Sequence, residues 1–319
     1  MKRIADFVCV VLALAGLLCA PAGRAWGCKG HQTVALIAER YLTADAKQMV
    51  QKLLSDNPID PKFSRYCGSA VRDAMADAST WADDVRNDRK NGPWHYIDIP
   101  RGAKRGMLEP YCGEGGCVTK AIAEQLAVLK DKNADETKRA EALRYIIHFV
   151  GDLHQPLHAT TNADEGGNCV PVKYLRRKPH EHNHSFSPNL HSLWDTAIPE
   201  RDMEGADPGE YAETLEEMFS TEMEGWQKTG IHVDEWAWES HDLAESAAYG
   251  ALTPKIAVEP NVTVKSCTDD NNIGGRLLQQ HIVAGEGYQE EAAKVVEQRL
   301  AQAGVRLGMI LNEAAKAAL

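Results

Sequence analysis

The chain has 319 residues, 44% hydrophobic and 25% charged, a globular balance that excludes a disordered, collagenous or polytopic membrane protein. Its formal net charge of −11 excludes nucleic-acid binding through a broadly basic surface. Any phosphate chemistry must rest on a local positive charge, which a metal can supply.

Residues 1–25 stand apart. Met1-Lys-Arg3 is basic, Phe7 to Ala20 is apolar and Gly23-Arg-Ala25 is a small-residue cleavage site, the pattern of a secretory signal peptide. No later run approaches ~20 uninterrupted apolar residues, so residues 26–319 are expected as one secreted or periplasmic domain without a membrane anchor. Losing the segment's net +2 takes the charge from −11 to −13. Cys28, Cys67, Cys112, Cys117, Cys169 and Cys267 remain, and an even number in an exported chain implies three disulfides. Cys112 and Cys117 are close enough to pair with each other; the other four allow three pairings.

Apolar residues then recur at three- and four-residue steps, so the chain reads as mainly helical, all-α. Val34, Ile37, Ala38 and Tyr41 form the first stripe, and Thr43 caps a second helix carrying Val50, Leu53 and Leu54. A third helix is expected from about Ala70 to Val85, and a fourth through Ile122, Leu126 and Leu129. A fifth runs from about Glu136 and stops near Pro156. Val170-Pro-Val172-Lys-Tyr174 alternates and reads as an edge strand or small β hairpin. Further helices are expected at 190–198, 209–228, 233–251 and 287–317. The long connections 96–117 and 159–189 are candidates for function.

The chemistry lies in scattered His and Asp residues. His148-x-x-x-Asp152 and His191-x-x-x-Asp195 each set an imidazole and a carboxylate one turn apart on a helix face, a spacing that delivers two ligands to one ion. His158 follows just beyond the fifth helix, and Asp83, His95 and His31 complete the set. His/Asp mixtures suit zinc. Residue chemistry alone leaves open a multi-zinc site and a collection of unrelated structural polar residues.

The motifs Trp26-Gly-Cys-Lys-Gly-His31, Trp81-Ala-Asp83, His95-Tyr-Ile-Asp98, His148-Phe-Val-Gly-Asp152-Leu-His-Gln-Pro-Leu-His158, Gly166-Gly-Asn168 and Asn189-Leu-His191-Ser-Leu-Trp-Asp195 together resemble the zinc-dependent single-strand-specific nucleases of the nuclease S-one/P-one type, which are related to zinc phospholipase C. Order and spacing match from Trp26 to Asp195; beyond that the likeness is only one of helical content and length. The resemblance implies three zinc ions. One would be held by Asp83, His95, His148 and Asp152. Another would take the amine and carbonyl of Trp26, His31 and the shared Asp152, and a third His158, His191 and Asp195. A free amine at Trp26 exists only after cleavage behind Ala25.

That likeness further implies an endonuclease hydrolysing single-stranded DNA and RNA to 5′-phosphate products, with 3′-nucleotidase activity, acting as a monomer. Asp83 and Asp152 would be catalytic through the metals, whose charge activates a water and stabilises the departing oxygen. Arg86 reads either as a phosphate contact or as an exposed helix arginine. Tyr96 would stack on a base, Asp98 would accept from its edge and Asn168 would line the pocket; the alternative is that Tyr96 is core and Asp98 a loop cap. Pro179-His180-Glu-His182-Asn-His184 has no counterpart and reads as a solvated loop rather than a fourth metal site. His154 reads as an exposed residue or one behind the metals. Asn183-His-Ser185 and Asn261-Val-Thr263 are glycosylation acceptors only in a eukaryotic secretory pathway.

Two other functions share part of this pattern. A zinc phospholipase C shares the ligands and the fold, and a non-catalytic zinc-binding protein would account for the histidine-rich segment. Tyr96, Asp98 and Asn168 favour nucleotides over both.

Overall fold

The computed structural model describes residues 26–63, 67, 73–259, 266–269 and 271–318. The signal peptide, the start of the expected third helix and the Asn261 acceptor lie outside the described residues.

The fold is mainly helical, with a few two- and three-residue strands. Helices α1 (Cys28–Arg40) and α2 (Ala44–Asp56) are followed by α3 (Ala74–Ala78) and α4 (Trp81–Arg89). Next come α5 (Val118–Lys130), α6 (Glu136–His154), α7 (Leu190–Ser192) and α8 (Ile198–Asp202). The C-terminal part holds α9 (Pro208–Met218), α10 (Ser220–Gln227), α11 (Val233–Leu243), α12 (Ile273–Leu278) and α13 (Glu286–Ala318). π-helical turns at Leu193–Ala197 and Ala244–Tyr249 join α7 to α8 and extend α11.

Local chemistry sets most boundaries. Thr43 caps α2 by accepting from the Ala46 amide, as expected. Asp135 caps α6, which ends just before Pro156. The expected helix 70–85 is instead two. The Ser79 hydroxyl donates to the Ala76 carbonyl at 2.6 Å and Thr80 turns back onto Asp77, so local side-chain bonds end α3 where apolar periodicity alone would continue it. Residues 209–228 likewise divide at Phe219 into α9 and α10.

The long helix α13 packs against α1, α2, α5, α6, α8, α9 and α10. Gly304 and Gly308 allow its close approach to α1, because a Cβ at Gly304 would stand 2.5 Å from Ile37 Cβ and one at Gly308 2.9 Å from Tyr41 Cβ. Its buried Arg299 and Arg306 both pair with Glu239 on α11. Arg306 also donates to His154 Nε2 at 3.0 Å, while His154 Nδ1 donates to the Val150 carbonyl. His154 is therefore neither exposed nor behind the metal ligands. It belongs to a buried charge network, and burial together with the two arginines holds its pKa well below the ordinary histidine range.

The alternating segment contributes only β1 (Lys173–Tyr174), which pairs in parallel with β4 (Val283–Ala284), not within a local hairpin. The hairpin lies later. β2 (His180–His182) pairs antiparallel with β3 (Ser185–Ser187), so the segment read as a solvated loop is an ordered β hairpin. Disulfides join Cys112 to Cys117, Cys28 to Cys67 and Cys169 to Cys267.

Candidate metal centre and nucleotide cleft

Helix α6 is the spine of the site. His148 and Asp152 are fully buried on it, one turn apart. His148 Nδ1 donates to the Ser79 carbonyl at 2.7 Å, at the break between α3 and α4, so that the neutral ring keeps its hydrogen on Nδ1 and offers Nε2 as a ligand. Nε2 faces Asp152 Oδ2 at 3.2 Å and Asp83 Oδ1 at 3.9 Å. His95, on the 3₁₀ turn Gly92–His95, brings Nδ1 to 3.0 Å from Asp152 Oδ2, 3.8 Å from Asp83 Oδ1 and 3.1 Å from His148 Nε2. His31 on α1 approaches from the other side, its Nε2 3.3 Å from Asp152 Oδ1 and its ring stacked on His148 at 4.0 Å. Asp152 thus turns one oxygen to each of two donor groups.

A third group adjoins these. His191 Nε2 lies 3.3 Å from Asp195 Oδ2, and His158 Nε2 lies 3.8 Å from Asp195 Oδ1. Their Nδ1 atoms donate to the carbonyls of Gly166 and His95, each at 2.7 Å. Asn189 and Ser192 close a capping box that starts α7 and sets His191, and Asp195 follows in the π turn. Gln155 Nε2 donates to Asp195 Oδ1 at 2.6 Å, a carboxylate-orienting contact that the motif pattern did not assign.

These residues fit metal ions. In a tetrahedral zinc site with bonds of about 2.0–2.1 Å, neighbouring donors stand about 3.3 Å apart; the approaches within the groups are 3.0–3.9 Å. Among the donor atoms that face one another, His31 Nε2, Asp83 Oδ1, both Asp152 oxygens and His158 Nε2 are buried without hydrogen-bond partners, a costly concentration that a cation relieves. Burial pushes His158 down to about 4 and His191 down to about 3, and lowers His31 and His95, so these rings are neutral and able to ligate near pH 7. Burial opposes charge on His148 too, but the Asp152 and Asp83 carboxylates outweigh it and hold His148 up to about 9. Burial also works against ionised Asp152, yet His148, His31 and His95 keep its carboxyl well below the usual range. A positive charge at the centre is what these groups favour. Glu165, Cys169 and Cys267 also approach one another, but the two sulfurs form a disulfide and offer no thiolate.

Trp26 is fully buried beside this centre, with Gly30 against its Cβ and the position of Gly151 near its ring. The next residue, Gly27, donates its amide to the Asp195 carbonyl at 2.6 Å, tying the start of α1 to the third donor group.

The remaining candidates are Arg86, Tyr96, Asp98 and Asn168, none of them fully buried. Arg86, partly buried one turn beyond Asp83, passes its guanidinium by Gly92, and its positive charge is felt at His158, His191 and Tyr96, where it lowers the pKa. Tyr96 is half-buried, not core, and burial followed by the Asp98 charge raises its phenol. Asp98 exposes part of its surface and caps no backbone amide among the described residues; the crowding of its carboxyl end by protein and then Asp164 push it up to about 6. Asn168 is half-buried and donates to the Glu165 carbonyl at 2.9 Å. Its loop is pinned by Asp164, another residue that the motifs did not assign. Asp164 is buried, accepts from the Asn162 and Gly167 amides at 3.1 and 3.0 Å, and takes the Tyr249 hydroxyl. The turn needs Gly166 and Gly167, which have φ of +61° and +86°.

A helical fold whose His and Asp donor groups converge on a buried carboxylate has the donor chemistry that metal-dependent hydrolases use. The S1/P1 Nuclease family profile matches residues 26–316. Endonuclease 4 of Arabidopsis thaliana is 30% identical over 90% of this chain and 88% of its own length. Nuclease S1 of Aspergillus oryzae is 27% identical over 98% of each chain, and Nuclease P1 of Penicillium citrinum is 27% identical over 90% of this chain and 97% of its own. The chain belongs to the S1/P1 nuclease family and is a nuclease. No helix among the described residues is long and apolar enough to cross a membrane.

Proposed function

We propose that the protein is a secreted or periplasmic trinuclear-zinc endonuclease that cleaves single-stranded DNA and RNA to 5′-phosphate products and also acts as a 3′-nucleotidase. The observation that carries this reading is the division of Asp152 between His31 on one oxygen and His95 and His148 on the other, with the His158, His191 and Asp195 group adjoining. Asp83, His95, His148 and Asp152 would hold one ion, Trp26, His31 and Asp152 a second, and His158, His191 and Asp195 a third. When bound, the ions supply Lewis-acid charge that activates water and stabilises the leaving oxygen.

The chain's own residues do the rest. Arg86 neutralises a substrate phosphate beside His158 and His191, where the protein's acidic balance would otherwise repel it. Tyr96 offers a ring face to one base, which favours unpaired strands because a base inside a duplex is already stacked. The Asp98 carboxylate accepts from the base edge, and Asn168 lines the same pocket from the loop that Asp164 fixes. Ser79, His95 and Gly166 hold three imidazoles in the ligating tautomer through backbone carbonyls.

Residues 26–319 act as one processed, monomeric domain. The family match beginning at residue 26 and the three disulfides support removal of residues 1–25 and an oxidising compartment. Parallel assays on single-stranded DNA and on phosphatidylcholine, each with and without chelator, test the reading. Chelator-sensitive cleavage of DNA alone agrees with it; phosphatidylcholine hydrolysis supports a phospholipase C instead, and inactivity on both supports a zinc-binding protein.

A further inference from the structure

The histidines at 180, 182 and 184 take no part in the centre described above, and the β hairpin gives them an arrangement of their own. His180 pairs across with Ser187, Glu181 with Phe186 and His182 with Ser185. Residues paired directly across an antiparallel ladder share a face, and successive residues alternate between faces. Phe186 is 1% exposed, packed against Gly274 where no Cβ would fit. Phe186 therefore marks the inner face; Glu181, paired with it on the same face, is itself exposed. His180 and His182, two residues apart, stand together on the outer face with Ser185 and Ser187.

Both imidazoles are exposed, and among the described residues neither has a hydrogen-bond or ionic partner. The strand beneath them is held firmly. Asn183 and His184 form a two-residue turn with φ of +49° and +60°. His184 Nδ1 meets Thr268 Oγ1 at 3.0 Å, beside the Cys169–Cys267 disulfide, and Asn189 Nδ2 donates to the Phe186 carbonyl at 2.9 Å. His184 is thus committed to the turn, whereas His180 and His182 are presented to solvent on a fixed backbone.

We infer that His180 and His182 form a two-imidazole surface site for a borderline divalent ion of the Zn²⁺, Ni²⁺ and Cu²⁺ class, separate from the buried donor groups. Imidazole nitrogen is the ligand type that this class of ion prefers over hard cations such as Mg²⁺ or Ca²⁺. The rigid backbone removes part of the ordering cost of chelation. Water completes the coordination, so the ion exchanges readily.

The test is calorimetric titration of zinc-loaded, desalted protein with Zn²⁺. Wild type is expected to take up one further, weaker equivalent. His180→Gln and His182→Gln should each weaken it at least tenfold, and His184→Gln should leave it unchanged. The exchange Glu181→His with His182→Glu keeps two histidines on the strand but sets them on opposite faces, and should weaken binding as much as either glutamine. Unchanged melting temperature and cleavage of single-stranded DNA verify that each variant is folded. As a readout free of substitutions, the ring-proton resonances of His180 and His182 in wild type should shift together on Zn²⁺ addition. Absence of the extra equivalent in wild type, its persistence in either glutamine variant, or wild-type affinity in the exchange variant would overturn the inference. Failure of the trinuclear reading would instead change the tightly held zinc count.

Discussion

The imidazole of His31 lies against the backbone of Gly151: a Cβ at residue 151 would stand 2.8 Å from Nδ1 and 3.0 Å from Cε1. The ring also stacks on His148 at 4.0 Å, with the planes 14° apart, and its Nε2 faces Asp152 Oδ1 at 3.3 Å. His148, His158 and His191 are each oriented by a carbonyl at Nδ1, but His31 Nδ1 has no hydrogen-bond partner. Packing between two surfaces, not a hydrogen bond at Nδ1, sets the direction in which His31 presents Nε2.

Gly151→Ala therefore separates helix stability from metal binding. Alanine improves the interior of a helix by about 0.5–1 kcal/mol over glycine, whereas forcing a methyl group into a packed position costs about 1–3 kcal/mol. The His31 ring must shift. The variant should remain folded, hold one zinc fewer and lose at least tenfold in activity, as checked by melting temperature, elemental analysis and cleavage of single-stranded DNA. A full zinc count would show that His31 tolerates displacement.

Tyr96→Ala should raise KM for oligonucleotides by a factor equivalent to about 1–3 kcal/mol, the usual worth of stacking one base on an aromatic ring. The zinc count should stay the same. Comparison with a base-free phosphodiester makes the assignment: an equal loss on that substrate would make Tyr96 a framework residue.

The pH dependence of KM reports Asp98. Desolvation and Asp164 push its carboxyl up to about 6, so above that pH it is ionised and able to accept the hydrogen bond from a base edge that the proposed function assigns to it. As pH falls through about 6 the acceptor is protonated, and KM should rise. Asp98→Asn should remove this inflection and alter base preference, while limbs caused by protonation of metal ligands persist. KM profiles of both proteins over about pH 5–8 provide the check.

The disulfides should differ in worth. Cys169–Cys267 spans 98 residues and Cys112–Cys117 spans 5. On a loop-closure basis these correspond to about 4.7 and about 2 kcal/mol. Replacing Cys169 and Cys267 by serine should lower the unfolding free energy in urea by more than replacing Cys112 and Cys117. The reverse order would place the stabilisation in the local cleft segment.

Much of the candidate donor cluster was legible in the sequence because its residues come in short pieces whose geometry is local. His148 and Asp152 need only a helix to face the same way, as do His191 and Asp195. The helix order was readable for a similar reason, since each apolar stripe signals its own element. What the sequence concealed depends on distant partners. Gln155 matters through Asp195, Asp164 through Tyr249, and Gly151 through His31, contacts that exist only after α1, α6, α7 and α11 have packed. β1 and β4 are two residues each and lie more than a hundred positions apart, too short and remote for a periodic signal. The α3/α4 break shows a different limit, where two hydroxyls override an apolar pattern.

The central claim is that three metal ions share this chain and that one of them needs the α-amine of Trp26. An amine ligates only when free and unprotonated, and any residue ahead of it turns it into a poorly donating amide. The most direct measurement is the zinc content of protein beginning at Trp26 set against the same protein with one residue left in front. The account predicts three ions per chain in the first and two in the second, with most of the nuclease activity lost. Equal zinc content in the two forms, or a single ion in the first, would contradict it.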